Sequence, residues 1–175
     1  MCVGLACAGS ERQPTSGRVK PHYSVETGRL EHMDYDQDGD GTLEGRAYLD
    51  GPRIQRIEID LNGDGKPDRW EYYEPDAGTS GKALPKPAGQ MAKVEEATRF
   101  DGKVSWWVYY EGGAVVCVDE DVDGDGRIDK WERYADGRLT SVELDLAGSG
   151  AADRRLDYLP DGTVRLTDLR PPRKP

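Results

Sequence analysis

The sequence predicts an all-β fold: an antiparallel meander or solenoid of 24-residue β-hairpin repeats, with acidic loops along one edge. Three observations carry this prediction: a repeat of fixed length, hairpin signals inside each repeat, and too few apolar residues for a thick core. Asp36 to Asp60 is 24 residues, and Asp121 to Asp145 is again 24. The position 24 residues before Asp121 is Ala97, which aligns Trp107 on Trp131 and Tyr110 on Tyr134. Five units therefore begin at Asp36, Asp60, Ala97, Asp121 and Asp145. The gap of 37 from Asp60 to Ala97 holds 13 extra residues, in the Gly/Pro-rich stretch around 75–90. A period of this length marks arrays and solenoids.

Each unit opens on an acidic loop. Residues 60–71 (DLNGDGKPDRWE) and 121–132 (DVDGDGRIDKWE) match D-x-[DN]-x-[DN]-G-x5-E at every fixed position, and 36–44 (DQDGDGTLE) match the first nine. That spacing suits a hard divalent cation. Ca²⁺ takes six to eight oxygens at roughly 2.3–2.6 Å, supplied from loop positions 1, 3, 5, the carbonyl of 7, and an acid at 9 or 12. Gly at position 6 supplies the turn. Three Ca²⁺ sites are predicted. The first is Asp36, Asp38, Asp40 and Glu44 with the Thr42 carbonyl. The second is Asp60, Asn62, Asp64, Asp68 and Glu71 with the Lys66 carbonyl. The third is Asp121, Asp123, Asp125, Asp129 and Glu132 with the Arg127 carbonyl. In a strand context, either the position-9 acid or the position-12 Glu binds directly while the other supports it.

Between loops the chain reads as strand. Two helices of about ten residues flank a helical calcium loop, and a 24-residue period leaves no room for them. Lys130 to Tyr134 and Leu139 to Leu144 are short, aromatic and branched, and Asp136-Gly137 joins them as a hairpin turn. Centring a two-residue turn there places Tyr134 opposite Leu139, Trp131 opposite Val142 and Lys130 opposite Glu143. The same register sets Trp106 opposite Asp119. In the first full unit Asp50-Gly51 comes one position early and Pro52 follows. A half unit (Gly28-Arg29-Leu30-Glu31) opens the array, and Tyr158 with Asp161-Gly162-Thr163-Val164 closes it. Trp70, Trp107 and Trp131 share one repeat position, and Tyr73, Tyr110, Tyr134 and Tyr158 another. Both sets are expected to form ladders that pack repeat on repeat.

Two loops are degenerate. The third has Ala97, Arg99 and Asp101 at positions 1, 3 and 5, and an Arg in that ring repels Ca²⁺. The fifth has Asp145, Ala147 and Ser149, with Leu156 at position 12. Both are expected to keep only the turn. An acid stands two residues before every loop (Asp34, Glu58, Glu95, Asp119, Glu143), degenerate ones included. That regularity points to a structural ion pair, such as Lys130 with Glu143, rather than to ligation.

The net charge of −10 argues against nucleic acid as a partner. Hydrophobic residues make up 35% of the chain, which fits a thin sheet whose order leans on metal. Cys2, Cys7 and Cys117 offer neither a disulfide framework nor zinc spacing. Cys117 lies on a predicted strand as a small apolar residue. No segment is long and apolar enough to span a membrane. The organisation expected is 1–21, a truncated lipoprotein signal and tether; 22–169, the repeat domain with its insertion at 75–90; and 170–175, a disordered tail.

Leu5-Ala6-Cys7-Ala8-Gly9-Ser10 resembles the end of a bacterial lipoprotein signal, with Cys7 as the lipidated residue and the natural start upstream of Met1. By residue pattern the loops resemble those of EF-hand proteins. By context they look more like the strand-flanked calcium loops of integrin propellers or the tandem loops of thrombospondin type 3 repeats. The array as a whole is similar to tandem D-G-D-G repeat lipoproteins of predatory and soil bacteria, over roughly 22–169. The loop motif points to Ca²⁺, and the leading reading is a non-enzymatic calcium-binding protein, lipid-anchored in the periplasm or outer membrane. It would act as a scaffold or binding surface for a protein or surface polysaccharide. A calcium sensor or buffer is the alternative, and a cytoplasmic location the alternative compartment. A carboxylate-based hydrolase ranks behind both, because His22 and His32 stand in no catalytic arrangement.

Overall fold

The computed structural model describes residues 18–74 and 89–170. These form twelve strands: β1 (Val19–Tyr23), β2 (Leu30–Tyr35), β3 (Gly45–Asp50), β4 (Arg53–Ile59), β5 (Arg69–Tyr73), β6 (Met91–Glu96), β7 (Trp106–Glu111), β8 (Ala114–Glu120), β9 (Lys130–Ala135), β10 (Arg138–Leu144), β11 (Arg154–Tyr158) and β12 (Val164–Asp168). They make one antiparallel sheet in chain order, an all-β meander that does not close. Each strand touches only its neighbours in sequence, so the described residues form a single layer. The sheet begins at Val19, three residues ahead of the boundary expected at 22, because Val19 to His22 pair with Tyr35 to His32. The lipobox around Cys7 and most of the 75–90 insertion lie outside the described residues.

Long and short connections alternate, and so segregate to opposite edges. The nine-residue loops 36–44, 60–68, 97–105, 121–129 and 145–153 share one edge. The insertion falls on the other, between β5 and β6, with the tight turns. Asp136 and Gly137 have φ of 51° and 71°, the left-handed pair that a type I′ hairpin turn requires. In the first full unit the turn is Gly51-Pro52, since Asp50 pairs with Arg53. Gly51 at φ 61° followed by Pro52, whose ring fixes a negative φ, has the sign pattern of a type II′ turn. This alternative turn accounts for the early Asp50-Gly51.

The register departs from the simple hairpin. Tyr134 does face Leu139, but Thr140 is then unpaired, and Trp131 meets Glu143 while Lys130 meets Leu144. Trp106 likewise faces Glu120, with Trp107 opposite Asp119. The cause is a β-bulge. Thr140 donates its hydroxyl to the Arg133 carbonyl at 2.9 Å, which holds the extra residue in place. One extra residue sits at the same place in five hairpins: Glu31, Gln55, Ala92, Val116 and Thr140. The one-residue slip also corrects the ion pair. Lys130 reaches Glu120 at 3.1 Å and Glu132 at 2.8 Å, whereas Glu143 pairs with Arg155 at 3.0 Å.

The two faces differ. On one, the register strings Met33, Ala47, Ile57, Glu71, Val94, Val108, Val118, Glu132, Val142, Leu156 and Leu166 into a single row. Its centre is the core: Val94, Val108 and Val118, packed by Met91, Trp106, Tyr110, Val115 and Tyr134. Tyr73, Tyr110 and Tyr134 form the next row, alternating with Met91, Val115 and Leu139.

The opposite face is charged. There each acid that precedes a loop has a cation: Asp34–Arg46 at 2.6 Å, Glu58–Arg56 at 2.9 Å, Glu95–Lys93 at 2.7 Å, Asp119–Arg133 at 3.1 Å and Glu143–Arg155. Tyr48 and Tyr72 donate hydroxyls to Glu58 and Glu95, and Arg56 and Lys93 lie over those tyrosine rings at 4.3 and 4.5 Å. Trp70, Trp107 and Trp131 stand in this charged face with Glu95 and Asp119 between them. A repeat occupies two strands, so equivalent residues are about 9.5 Å apart. The expected tryptophan ladder is therefore a row of rings separated by carboxylates.

Two predictions follow from this packing. Val94 is 0% exposed and Val164 is 50% exposed. Val94→Ala should lose about 2 kcal/mol in urea unfolding, and Val164→Ala less than about 0.5 kcal/mol. The Arg46 hydrogen bond holds the Asp34 carboxyl below its ordinary 3.8. For Glu132, burial pushes the carboxyl up, but Lys130 and Tyr134 outweigh it and hold it below 4.5. Carboxyls depressed by folding contribute stability above their unfolded pKa and lose it as pH falls through the folded one. Unfolding free energy should accordingly be flat from neutral pH down to about pH 5 and fall below about pH 4.

Candidate metal centres

The loops carry one hydrogen-bond pattern. The position-1 Asp accepts backbone N–H bonds from the glycines at positions 4 and 6. Asp36 takes Gly39 and Gly41 at 2.7 and 3.1 Å, Asp60 takes Gly63 and Gly65 at 2.7 Å each, and Asp121 takes Gly124 and Gly126 at 2.6 and 3.0 Å. All six glycines have φ between 75° and 94°, a region that a Cβ disfavours. Position 3 accepts the N–H of position 5, and position 5 that of position 7. Asp38 thus holds Asp40, Asn62 holds Asp64, and Asp123 holds Asp125; Asp40, Asp64 and Asp125 hold Thr42, Lys66 and Arg127. The position-9 acid closes the ring on position 2: Glu44 on Gln37, Asp68 on Leu61, and Asp129 on Val122.

These bonds gather carboxylates. Asp36, Asp38, Asp40 and Glu44 bring ligand oxygens within 4.8 Å of one another, as do Asp121, Asp123 and Asp129. The second loop has the same backbone frame but, with Asn62 at position 3, is not among these clusters. Burial pushes the Asp60 carboxyl up. The N–H groups of Gly65, Gly63 and Asn62 outweigh that and hold it below the ordinary range, charged and ready for a cation. Oxygen-only donor sets of this kind fit a hard ion such as Ca²⁺.

Of the two alternatives for each full loop, Glu71 and Glu132 are the acids that stand away from the ring. Both stand on the sheet face in the core row, not in the loops. Glu71 is bonded by Arg69 and Tyr73 at 3.0 Å each, and Glu132 by Lys130 at 2.8 Å and Tyr134 at 2.6 Å. The reason is the following strand. In a helix, position 12 turns back toward the loop; in a strand starting at position 10, side chains alternate, and position 12 falls on a sheet face. The position-9 acids are the ones turned inward.

The degenerate loops keep the frame by substitution. In the third, Ser105 replaces the position-9 acid: its Oγ accepts the Thr98 N–H at 3.2 Å and lies 2.7 Å from the Thr98 hydroxyl. Phe100 adopts φ 55° where the other loops have glycine. Arg99 leaves its own loop and donates to the Asp121 and Val122 carbonyls of the next one, at 2.9 and 2.6 Å. In the fifth loop, Asp145 still holds Gly150 at 2.5 Å and Asp153 holds Leu146 at 3.1 Å.

A third cluster of potential ligands is His22, His32 and Asp34, on the charged face. Sequence reading missed it because His22 and His32 are ten residues apart. The signal that could have found it is the β1–β2 hairpin register combined with the alternation of His32 and Asp34 along one strand.

No family model and no curated protein matches the chain. Among solved structures, it is similar to part of a GtfA/B complex bound to UDP and GlcNAc (TM-score 0.44, 12% identity, 65% of this chain and 22% of that one). It is also similar to part of a second GtfA/B complex (0.40, 18% identity, 76% and 21%) and of accessory secretory protein 1, 2 and 3 of Streptococcus pneumoniae (0.40, 16% identity, 77% and 20%). The chain spans about a fifth of those chains.

The position-9 and position-12 acids should separate cleanly in calcium titration. Asp129→Asn should weaken the fourth loop by about 1.4 kcal/mol, a tenfold loss. Glu132→Gln should leave its affinity within about twofold and instead lower the melting temperature, since it removes one of the two carboxylates that Lys130 pairs with in the sheet.

Proposed function

We propose that the chain is a non-enzymatic calcium-binding repeat protein of a bacterial envelope. Its open sheet serves as a scaffold or binding surface for a protein or surface polysaccharide, and Cys7 carries a lipid anchor. The observation that carries the calcium reading is the convergence of Asp36, Asp38, Asp40 and Glu44 on a loop whose glycines already hold the turn. Without an ion, those carboxylates repel one another in a sheet with few buried apolar side chains to offset the strain. An ion relieves that repulsion only in the folded state. Calcium therefore acts as a folding ligand, and the loop edge is where the chain gains stability from its surroundings.

The scaffold reading rests on the single layer. Both faces present regular rows of side chains along the whole sheet, one of tyrosines and aliphatics, the other of alternating rings and charges. The envelope reading rests on the Leu5-Ala6-Cys7 signal and on the likeness to D-G-D-G repeat lipoproteins.

Calorimetric titration should give three Ca²⁺ per chain, with dissociation constants of about 10⁻⁴–10⁻³ M, the range of extracellular modules. The second loop should be weakest, because Asn62 brings no charge. A site at ten times its dissociation constant adds about 1.4 kcal/mol, so three add about 4 kcal/mol. Melting in chelator should fall well below melting in millimolar Ca²⁺, and Asp123→Ala should remove about a third of that difference. A stoichiometry of zero, or melting indifferent to chelator, would overturn the reading.

A further inference from the structure

We infer that His22, His32 and Asp34 form a binding site for one divalent transition ion of the zinc class. His22 on β1 pairs directly with His32 on β2, and Asp34 lies two residues further along β2, so all three project from one face. The imidazole rings are stacked, with centroids 4.2 Å apart and planes 11° from parallel. One ligand atom from each residue lies within 4.8 Å of the other two.

The nitrogen facing the carboxylate needs a partner. His22 Nε2 lies 2.9 Å from Asp34 Oδ2. That nitrogen is buried, yet it makes no hydrogen bond, because the approach is off the line that an N–H···O bond requires. When the ring is protonated this contact is an ion pair; when it is neutral with its Nε2 lone pair toward Oδ2 the two repel, and a cation bound by both removes the repulsion. Zinc takes nitrogen at about 2.0–2.1 Å and carboxylate oxygen at about 2.0–2.2 Å, and two such ligands at a tetrahedral ion stand roughly 3.4 Å apart. The separations here, from 2.9 Å to within 4.8 Å, bracket that value. The stacked rings must turn toward each other for their in-plane lone pairs to meet at one ion, and water completes the shell.

Two further features suit a metal. Arg46 donates to Asp34 Oδ1 at 2.6 Å, which fixes the carboxylate with Oδ2 toward the histidines, as outer partners orient metal ligands. Among the described residues, β1 is an outer strand of the sheet, with no strand beyond it to cover the site. The donor set also selects against calcium: imidazole nitrogen suits zinc and its neighbours, whereas Ca²⁺ takes oxygen alone. The site shares no ligand with the acidic loops, so it stands or falls separately from the calcium reading.

The chain has only two histidines, so each imidazole can be read directly in a long-range ¹H–¹⁵N spectrum. The full chain is titrated with Zn²⁺ in millimolar Ca²⁺, which keeps the loops supplied. One equivalent should shift the ring nitrogens of both histidines together. Competition with a chromogenic chelator should show Zn²⁺ binding weakened by roughly tenfold or more in His22→Ala and in His32→Ala. Asp34→Asn, which keeps an acceptor for Arg46, should weaken it as well, and melting curves establish that each variant is folded. If neither imidazole shifts in excess Zn²⁺, or only one does, the site does not exist. Zinc binding of unchanged strength in both histidine variants would assign the ion to thiols or loops and overturn the inference equally.

Discussion

A sheet one layer thick has no second layer to cover it, and the rest of this structure answers that constraint. Burial must come from side chains standing beside one another on the same face. Among the described residues, Val94, Val108 and Val118 are buried because Trp106, Tyr110 and Tyr134 rise around them within the same layer. Small branched residues at the centre of the row with large rings beside them dry such a core. On the other face the same shielding is done by ion pairs. Tyr48 with Glu58 under Arg56, and Tyr72 with Glu95 under Lys93, are equivalent assemblies built from neighbouring strands. Each is partly exposed, so its worth is modest singly, and its value lies in repetition.

The same constraint explains why carboxylates run the loop edge. A nine-residue loop without a packed layer behind it leaves its backbone N–H groups without partners. Asp36, Asp60, Asp121 and Asp145 each gather several of those groups from inside the loop. The loop thus folds around its own first side chain. Placing that much negative charge together makes an oxygen-only donor set of the kind a hard cation takes. The acids have two roles, backbone acceptor and candidate ligand. The degenerate loops separate them, for the third keeps the frame with Ser105 and no acid at positions 1, 3 or 9.

Much of this was legible in the sequence because it depends on glycine, period and turn chemistry. The 24-residue unit, the strands, the Asp136-Gly137 turn and the segregation of loops to one edge all follow from residues with few conformational options. What was not legible depends on a single extra residue. Thr140 looks like any strand residue, yet its bulge moves Trp131 from Val142 to Glu143 and Lys130 from Glu143 to Leu144. Glu132 shows a different limit. The motif fixes its spacing, but the element that follows fixes its direction, and a strand sends it to the sheet face. The His22–His32 contact was hidden for a related reason: only the register of an irregular hairpin brings the two rings together.

The bulge and the degenerate loops together bear on how such an array holds its length. Single-layer sheets of many strands tend to twist, and a bulge at the same place in successive repeats imposes the same local twist each time. Equal twist keeps equivalent loops in line along the edge, close enough for one to reach the next. Arg99 does so, donating to the carbonyls of Asp121 and Val122, and Arg127 does so again toward the Gly148 carbonyl at 3.4 Å. In both cases the side chain of one loop holds the backbone of the following loop. A row of anionic loops would otherwise repel along its length. An arginine in place of a ligand at the third loop therefore has a structural use: it sets a positive group against the fourth, where Asp121, Asp123 and Asp129 are gathered. Loss of the ligand set at the third loop thus supports the geometry of the fourth.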